Sequence, residues 1–305
     1  MASSLVKARF FYPHETARHA ATILGFPSRV SIASAYYESA CVDIANLASV
    51  ISAHEPVRLY ARPEDIQKAK SMALSIEWGR KHDLDAHDRA SDGLDWPVMA
   101  PEQIEENGSF ARRVIESDVL PSPVTLVESP IRLEGGALAV DGEGTLLATE
   151  SSIINENRNP GLSKTTIEAE LRLNFVRPGV VVLSRPHSSV PKAWVKIYEE
   201  IRGILGQSVD AKGRPFEVHI VDEPNPKIFG VLSYDEPATN YVNFYFVNGG
   251  LILPQFGDSR RDQEALVLFQ KLCPDRVVRP VFLSALPLAG GVIHCATQPV
   301  LFVGE

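Results

Sequence analysis

Two apolar stretches, 241–247 and 251–253, flank Asn248-Gly249-Gly250, and no other pattern constrains this 305-residue chain as tightly. Asn and Gly readily adopt the positive φ of a tight reversal, so the segment predicts a β-hairpin. A second hairpin signal lies upstream, where 137–140 and 145–149 flank Asp141-Gly142-Glu143-Gly144. Elsewhere the period changes. Over 37–54, Cys41, Ile44, Ala48 and Ile51 recur at three- and four-residue spacing, which predicts an amphipathic helix. Pro56-Val57-Arg58-Leu59-Tyr60 follows as a short strand, and Arg62-Pro63-Glu64-Asp65 opens another helix with an early Pro and acids in its first turn. Further helices are expected at 100–117, 163–172, 192–205 and 260–272, and further strands at 180–183, 217–221 and 300–303. The polar stretch 81–95 reads as a loop. Strands and helices that alternate in this way define a mixed α/β chain, read as one domain over 1–305.

Composition narrows the partners. With 45% hydrophobic and 22% charged residues the chain can bury a full core, and wholesale disorder is excluded. A net charge of −8 argues against a nucleic-acid or anionic-membrane partner and suits a small cationic ligand. The opening residues carry no apolar signal region, and no apolar run approaches the ~20 residues of a spanning helix, so a soluble, cytoplasmic protein is expected. Three cysteines without CxxC spacing suit a reducing compartment better than a disulfide framework or structural zinc. The eight histidines form no HExxH or HxH pair, and the Gly-Gly pairs fit neither dinucleotide nor P-loop spacing, so neither metal nor cofactor is expected.

Three places could carry chemistry. Cys41 falls on the apolar face of a predicted helix and Cys273 at a helix end, positions that suit packed thiols. Cys295 differs, because Ala289-Gly290-Gly291-Val292-Ile293-His294-Cys295 leads two glycines into a short apolar stretch. Glycine lets a ligand or backbone come close, and a neighbouring imidazole can favour thiolate. Cys295 therefore reads either as a nucleophile or as a buried strand thiol. If 293–296 is a strand, His294 faces away from Cys295. Glu134, ahead of Gly135-Gly136, is either a ligand-facing carboxylate or a solvated turn residue. Asn155-Glu156-Asn157-Arg158-Asn159-Pro160 reads as a polar helix-entry loop.

Five ordered blocks resemble the agmatine deiminase family, also called the bacterial-type peptidylarginine deiminases. They are Leu133-Glu134-Gly135-Gly136 with Val140-Asp141-Gly142-Glu143-Gly144; Asn155-Glu156-Asn157-Arg158-Asn159-Pro160; Tyr241-Val242-Asn243-Phe244-Tyr245 with Asn248-Gly249-Gly250; Pro254-Gln255-Phe256-Gly257-Asp258; and Gly290-Gly291-Val292-Ile293-His294-Cys295-Ala296-Thr297-Gln298. The resemblance implies a pseudo-fivefold α/β propeller of ββαβ-type units. It also implies hydrolysis of the guanidinium of agmatine to carbamoylputrescine and ammonia, in putrescine biosynthesis, through a cysteine amidino-thioester. Peptidylarginine is the alternative substrate. By the resemblance Cys295 is the nucleophile, Glu134 partners a catalytic histidine, no metal or cofactor is needed, and a homodimer is expected.

Two of the family's blocks have no counterpart here. A Trp-x-Arg-Asp-x-Gly-Pro block, whose Asp binds the guanidinium, would precede Trp78-Gly79, but Lys70-Ser71-Met72-Ala73-Leu74-Ser75 runs directly into Ile76-Glu77-Trp78. An Asp-x-Thr-Asp-x-His-x-Asp block, holding the catalytic histidine, would lie between Arg172 and Phe175, where only Leu173-Asn174 stands. The substrate-binding residues thus stay unassigned. His187 reads either as a substitute acid or as a surface-loop histidine. The rival expectation is a shortened, inactive homologue that binds a guanidinium compound or a partner protein.

Overall fold

The computed structural model describes residues 14–29, 32–72, 179–229 and 237–302, together with Arg112, Ile115, 138–140, Glu143, 145–148, 153–154 and 159–161. In chain order the strands are β1 (His19–Gly25), β2 (Val57–Tyr60), β3 (Leu138–Val140), β4 (Leu146–Ala148), β5 (Val180–Arg185), β6 (Glu217–Asp222), β7 (Tyr245–Val247), β8 (Gly250–Gln255), β9 (Val277–Phe282) and β10 (Thr297–Leu301). The helices are α1 (Ser34–Ser52), α2 (Ile66–Met72), α3 (Lys192–Gln207), α4 (Ser259–Leu272) and the single turn α5 (Ile293–Ala296). Among the described residues no helix is long and apolar enough to cross a membrane. Arg112 and Ile115 have helical backbone, while the predicted helix over 163–172 and the predicted loop over 81–95 lie outside the described residues.

The chain divides into two units. The larger comprises Arg18–Leu126, Val182–Arg202 and His219–Glu305. It holds two three-stranded sheets of like topology. In one, β1 and β2 run parallel across the α1 crossover and β10 lies antiparallel on the other side of β1. In the other, β8 and β9 run parallel across α4, and β7 pairs antiparallel with β8 through the Asn248-Gly249 turn. That hairpin is the one the Asn-Gly-Gly pattern predicts, with Gly249 at φ 69°. The strand expected over 241–247 shrinks to Tyr245–Val247, because the backbone carbonyl of Asn243 accepts from His294 instead of a ladder partner.

Periodicity places the core correctly. Cys41, Ile44, Ala48 and Ile51 are all buried on α1, which packs against β1, β2 and β9. Leu251, Ile252 and Leu253 of β8 are fully buried at the centre of their sheet. Gly250 is required there: a Cβ on it would lie 2.7 Å from a His54 ring carbon.

The smaller unit comprises Met1–Ala17, Val127–Val181 and Gly203–Val218. Its β3 and β4 form the second predicted hairpin. Beside it Glu143 is held by Lys212 and Arg214, whose hydrogen bonds keep its carboxyl below the usual range. Asp210 accepts from the backbone N–H of both Lys212 and Arg214, which closes the loop that carries them.

Within the larger unit a buried carboxylate joins the two sheets. Glu55, at the end of α1, meets the Nδ1 of His19 at 2.8 Å, accepts from the hydroxyl of Thr22, and accepts from the backbone N–H of Asn248 at 2.8 Å. The side chain of Asn248 returns the tie, accepting from His19 N at 3.0 Å and donating to His19 O at 2.9 Å. Removing one member of a buried polar set leaves the others without partners. Glu55→Ala should therefore lower unfolding stability by about 3–5 kcal/mol, measured as a reduced denaturant midpoint; a loss under about 1 kcal/mol would contradict this role for the network.

Candidate active site

The loop between β9 and β10 is built by hydrogen bonding before it presents any functional group. Asp43 on α1 is buried among apolar neighbours, and its carboxylate accepts from the backbone N–H groups of Ser284, Ala285 and Leu286 at 2.7–3.1 Å. Those three donors open the 3-10 turn Leu286–Ala289. Gly290 then closes it at φ 85°, a left-handed conformation that a side chain would disfavour. Val292 and Ile293 follow, both fully buried, and anchor the next turn.

That next turn is helical. Where the apolar run Val292-Ile293 reads as a strand, residues Ile293–Ala296 instead form α5, with Ala296 N donating to Val292 O at 3.2 Å. The hydroxyl of Thr297 reaches back to the carbonyl oxygens of Ile293 and His294, which satisfies acceptors that a strand would have offered to a neighbour. Consecutive side chains in a helical turn diverge by about 100°, so His294 and Cys295 still point apart. The imidazole of His294 lies edge-on to Tyr245, ring centroids 6.5 Å apart, and the thiol of Cys295 is exposed. Exposure excludes the buried-strand-thiol reading of Cys295. Cys41 is buried, and Cys273 caps the end of α4, as their positions in the sequence suggest.

Across from Cys295 stands Asn243. Its Nδ2 donates to Cys295 Sγ at 3.1 Å, and its Oδ1 accepts from the backbone N–H of His294 at 2.8 Å and of Cys295 at 3.4 Å. The backbone N–H of Asn243 donates to Asn240 O at 3.4 Å, and between these two residues the buried hydroxyl of Tyr241 donates to Asp262 at 2.8 Å. Burial first, and that carboxylate second, push the Tyr241 hydroxyl far above the usual tyrosine range, so it stays a donor. Asp262 also accepts from Phe256 N and Gly257 N, fixing the start of α4. Asn243 lies in one of the five blocks, but without a chemical signal of its own. Its role depends on a contact across 52 residues of sequence.

Glu134 and 155–158 lie outside the described residues; Asn159 is buried and donates to Ile153 O at 2.8 Å, a structural bond. His187 bonds Ser189 in the loop between β5 and α3. Among the described residues no group of three or more His, Cys, Asp or Glu side chains is placed to hold a metal ion.

Gly291 lies close against Cys295. A Cβ there would come within 3.0 Å of Cys295 Cβ and 3.8 Å of its sulfur. Gly291→Ala should displace the sulfur from Asn243 and slow iodoacetamide alkylation of Cys295 about three- to tenfold, below the ~10²-fold that a 1 Å misplacement can cost. The unfolding midpoint should hardly move; unchanged alkylation would show that the thiol does not depend on this close approach.

The Porphyromonas-type peptidyl-arginine deiminase family matches residues 11–175 and 172–300 of this chain. The chain is 33% identical over 255 aligned positions to agmatine deiminase of Medicago truncatula, covering 68% of each. It is 30% identical over 362 positions to agmatine deiminase of Stutzerimonas stutzeri, covering 96% of each. Of some other curated relatives it spans 57% of the length. The solved structure of agmatine deiminase of Enterococcus faecalis shares the fold, with a TM-score of 0.75 at 22% identity over 95% of each chain. With the family matched along nearly the whole sequence, this chain belongs to the Porphyromonas-type peptidyl-arginine deiminases.

Proposed function

We propose that the chain hydrolyses the guanidinium of a small cationic substrate, agmatine, to carbamoylputrescine and ammonia, with Cys295 as the nucleophile. The observation that carries this reading is the exposed thiol of Cys295 on a turn fixed by buried hydrogen bonds, held against an amide donor. The names of the relatives in Medicago and Stutzerimonas support agmatine as substrate in preference to peptidylarginine.

In the proposed reaction the thiolate of Cys295 adds to the guanidinium carbon. Ammonia leaves as that carbon's bond to nitrogen breaks, and an amidino-thioester stays on the sulfur. Water then adds to the same carbon, the carbon–sulfur bond breaks, and carbamoylputrescine departs with the thiol restored. One water is consumed and one ammonia released. Glu134 is proposed as the acid of the same site. The net charge of −8 favours approach of a cation. The two sheets of like topology, each an antiparallel strand beside a β–α–β crossover, support ββαβ units arranged as a propeller.

A specific observation favours a second reading. The family match falls in two segments, 11–175 and 172–300, which meet where the resemblance would place the histidine block. The Stutzerimonas alignment also runs over 362 positions against the 305 residues here, so that relative carries stretches this chain lacks. Loss of a general acid–base group costs about 10²–10⁴-fold in rate. The second reading is therefore a shortened member that binds a guanidinium compound with little or no turnover.

Ammonia and carbamoylputrescine release from agmatine by the 305-residue chain, beside Cys295→Ala, separates the two. Turnover that is abolished in Cys295→Ala is the result expected of the enzyme. A folded chain without turnover that binds agmatine with measurable heat is the shortened binding member. Turnover that persists in Cys295→Ala would overturn the nucleophile assignment.

A further inference from the structure

We infer that the face of β2 turned away from α1 binds a small oxyanion, a carboxylate or phosphate group, gripped by the guanidinium of Arg58 beside the bare backbone of Gly25. The inference does not rest on Cys295. Alternation along β2 sorts its side chains. Val57 is buried and Leu59 packs against the core, so Arg58 and Tyr60 point to the opposite face. Register places Ile23 of β1 beside Arg58, and Gly25 beside Tyr60. Arg58 is half-buried there; its Nη1 is sealed from solvent and has no hydrogen-bond partner among the described residues. Composition does not force this, because the chain carries 38 Asp+Glu against 30 Lys+Arg. Arg185, Arg214 and Arg261 each reach a carboxylate.

A guanidinium withdrawn from water is costly unless acceptors and a counter-charge meet it. Its planar fork of donors matches the paired oxygens of a carboxylate or phosphate better than it matches a spherical ion. Room for such a group lies alongside. A Cβ built on Gly25 would meet nothing within 4 Å among the described residues, although Gly25 is only partly exposed. Glycine at such a strand position lets a ligand come close to the backbone. Burial pushes the Tyr60 hydroxyl up and the Arg58 charge pulls it the other way, so phenol and guanidinium share one environment. Two residues beyond Tyr60, Arg62 continues the extended backbone and brings a second positive charge to this end of the strand. Neither agmatine nor carbamoylputrescine carries a carboxylate or phosphate, so the ligand is distinct from both.

Thermal unfolding of the full chain in sodium phosphate and in sodium acetate, each against sodium chloride at equal ionic strength, tests the site. At about tenfold above its dissociation constant, the bound oxyanion should raise the midpoint by about 2–3 °C, and the rise should saturate. A rise with phosphate alone assigns a tetrahedral group, and a rise with acetate a carboxylate. Arg58→Met is expected to abolish the rise. Gly25→Val fills the space and leaves Arg58 in place, and should weaken oxyanion binding about tenfold or more. If Arg58→Met does not fold, Arg58→Lys decides: it keeps the charge, loses the fork and should weaken binding about tenfold. The inference is overturned if neither oxyanion raises the midpoint of the unsubstituted chain above its value in chloride. It is equally overturned if the Arg58 variant responds as the unsubstituted chain does. Turnover plays no part in these measurements, so failure of the nucleophile reading shows separately, as ammonia release that survives Cys295→Ala.

Discussion

A carboxylate taken out of water must find hydrogen-bond donors, and Glu55 finds them on two different sheets. Its partners are His19 and Thr22 on β1 and the backbone N–H of Asn248 in the β7–β8 turn. Desolvating such a group costs several kcal/mol unless those donors are in place. The two sheets can therefore be buried against each other only in the register that brings Asn248 to His19. A purely apolar contact would tolerate sliding; this one does not. Thr22 passes the constraint on to Tyr245, whose hydroxyl lies 3.0 Å away, and the ring of Tyr245 backs the His294 turn.

The same device recurs around the thiol. Asp43 holds the start of the β9–β10 loop, Asp262 holds Tyr241 and the entry to α4, and Asn243 holds α5. In each case a side-chain oxygen accepts N–H groups that no helix or strand satisfies. Loops presented at functional positions are costly for this reason, and a scaffold of buried acceptors makes them rigid. Cys295 is thus exposed at its sulfur and fixed at its backbone, the combination that nucleophilic chemistry asks of a cysteine.

Much of the fold is legible where local physics decides. The Asn-Gly reversal, the three- and four-residue spacing on α1 and the Pro-led start of the turn before α2 each appear where the residues predict them. Two strands carry no such signal. β1 is buried on both faces and includes His19 and Thr22, so its alternation is lost. β9 contains Pro280, a residue that argues against a central strand; its place at the edge of the β7–β8–β9 sheet removes the objection. α5 is four residues long, too short for a helical period to show, and only its hydrogen bonds distinguish it from a strand.

The sequence by itself determined the mixed α/β class, the core face of α1, both hairpins, and the thiol worth watching, because turn chemistry and periodicity act over a few residues. The tertiary structure alone decided that Cys295 sits on a helical turn beside Asn243, and that Glu55 joins Asn248 across 193 residues. Neither pairing has a local cause. Each exists because a buried donor or acceptor must be satisfied, and which distant group satisfies it is settled only when the chain has closed upon itself.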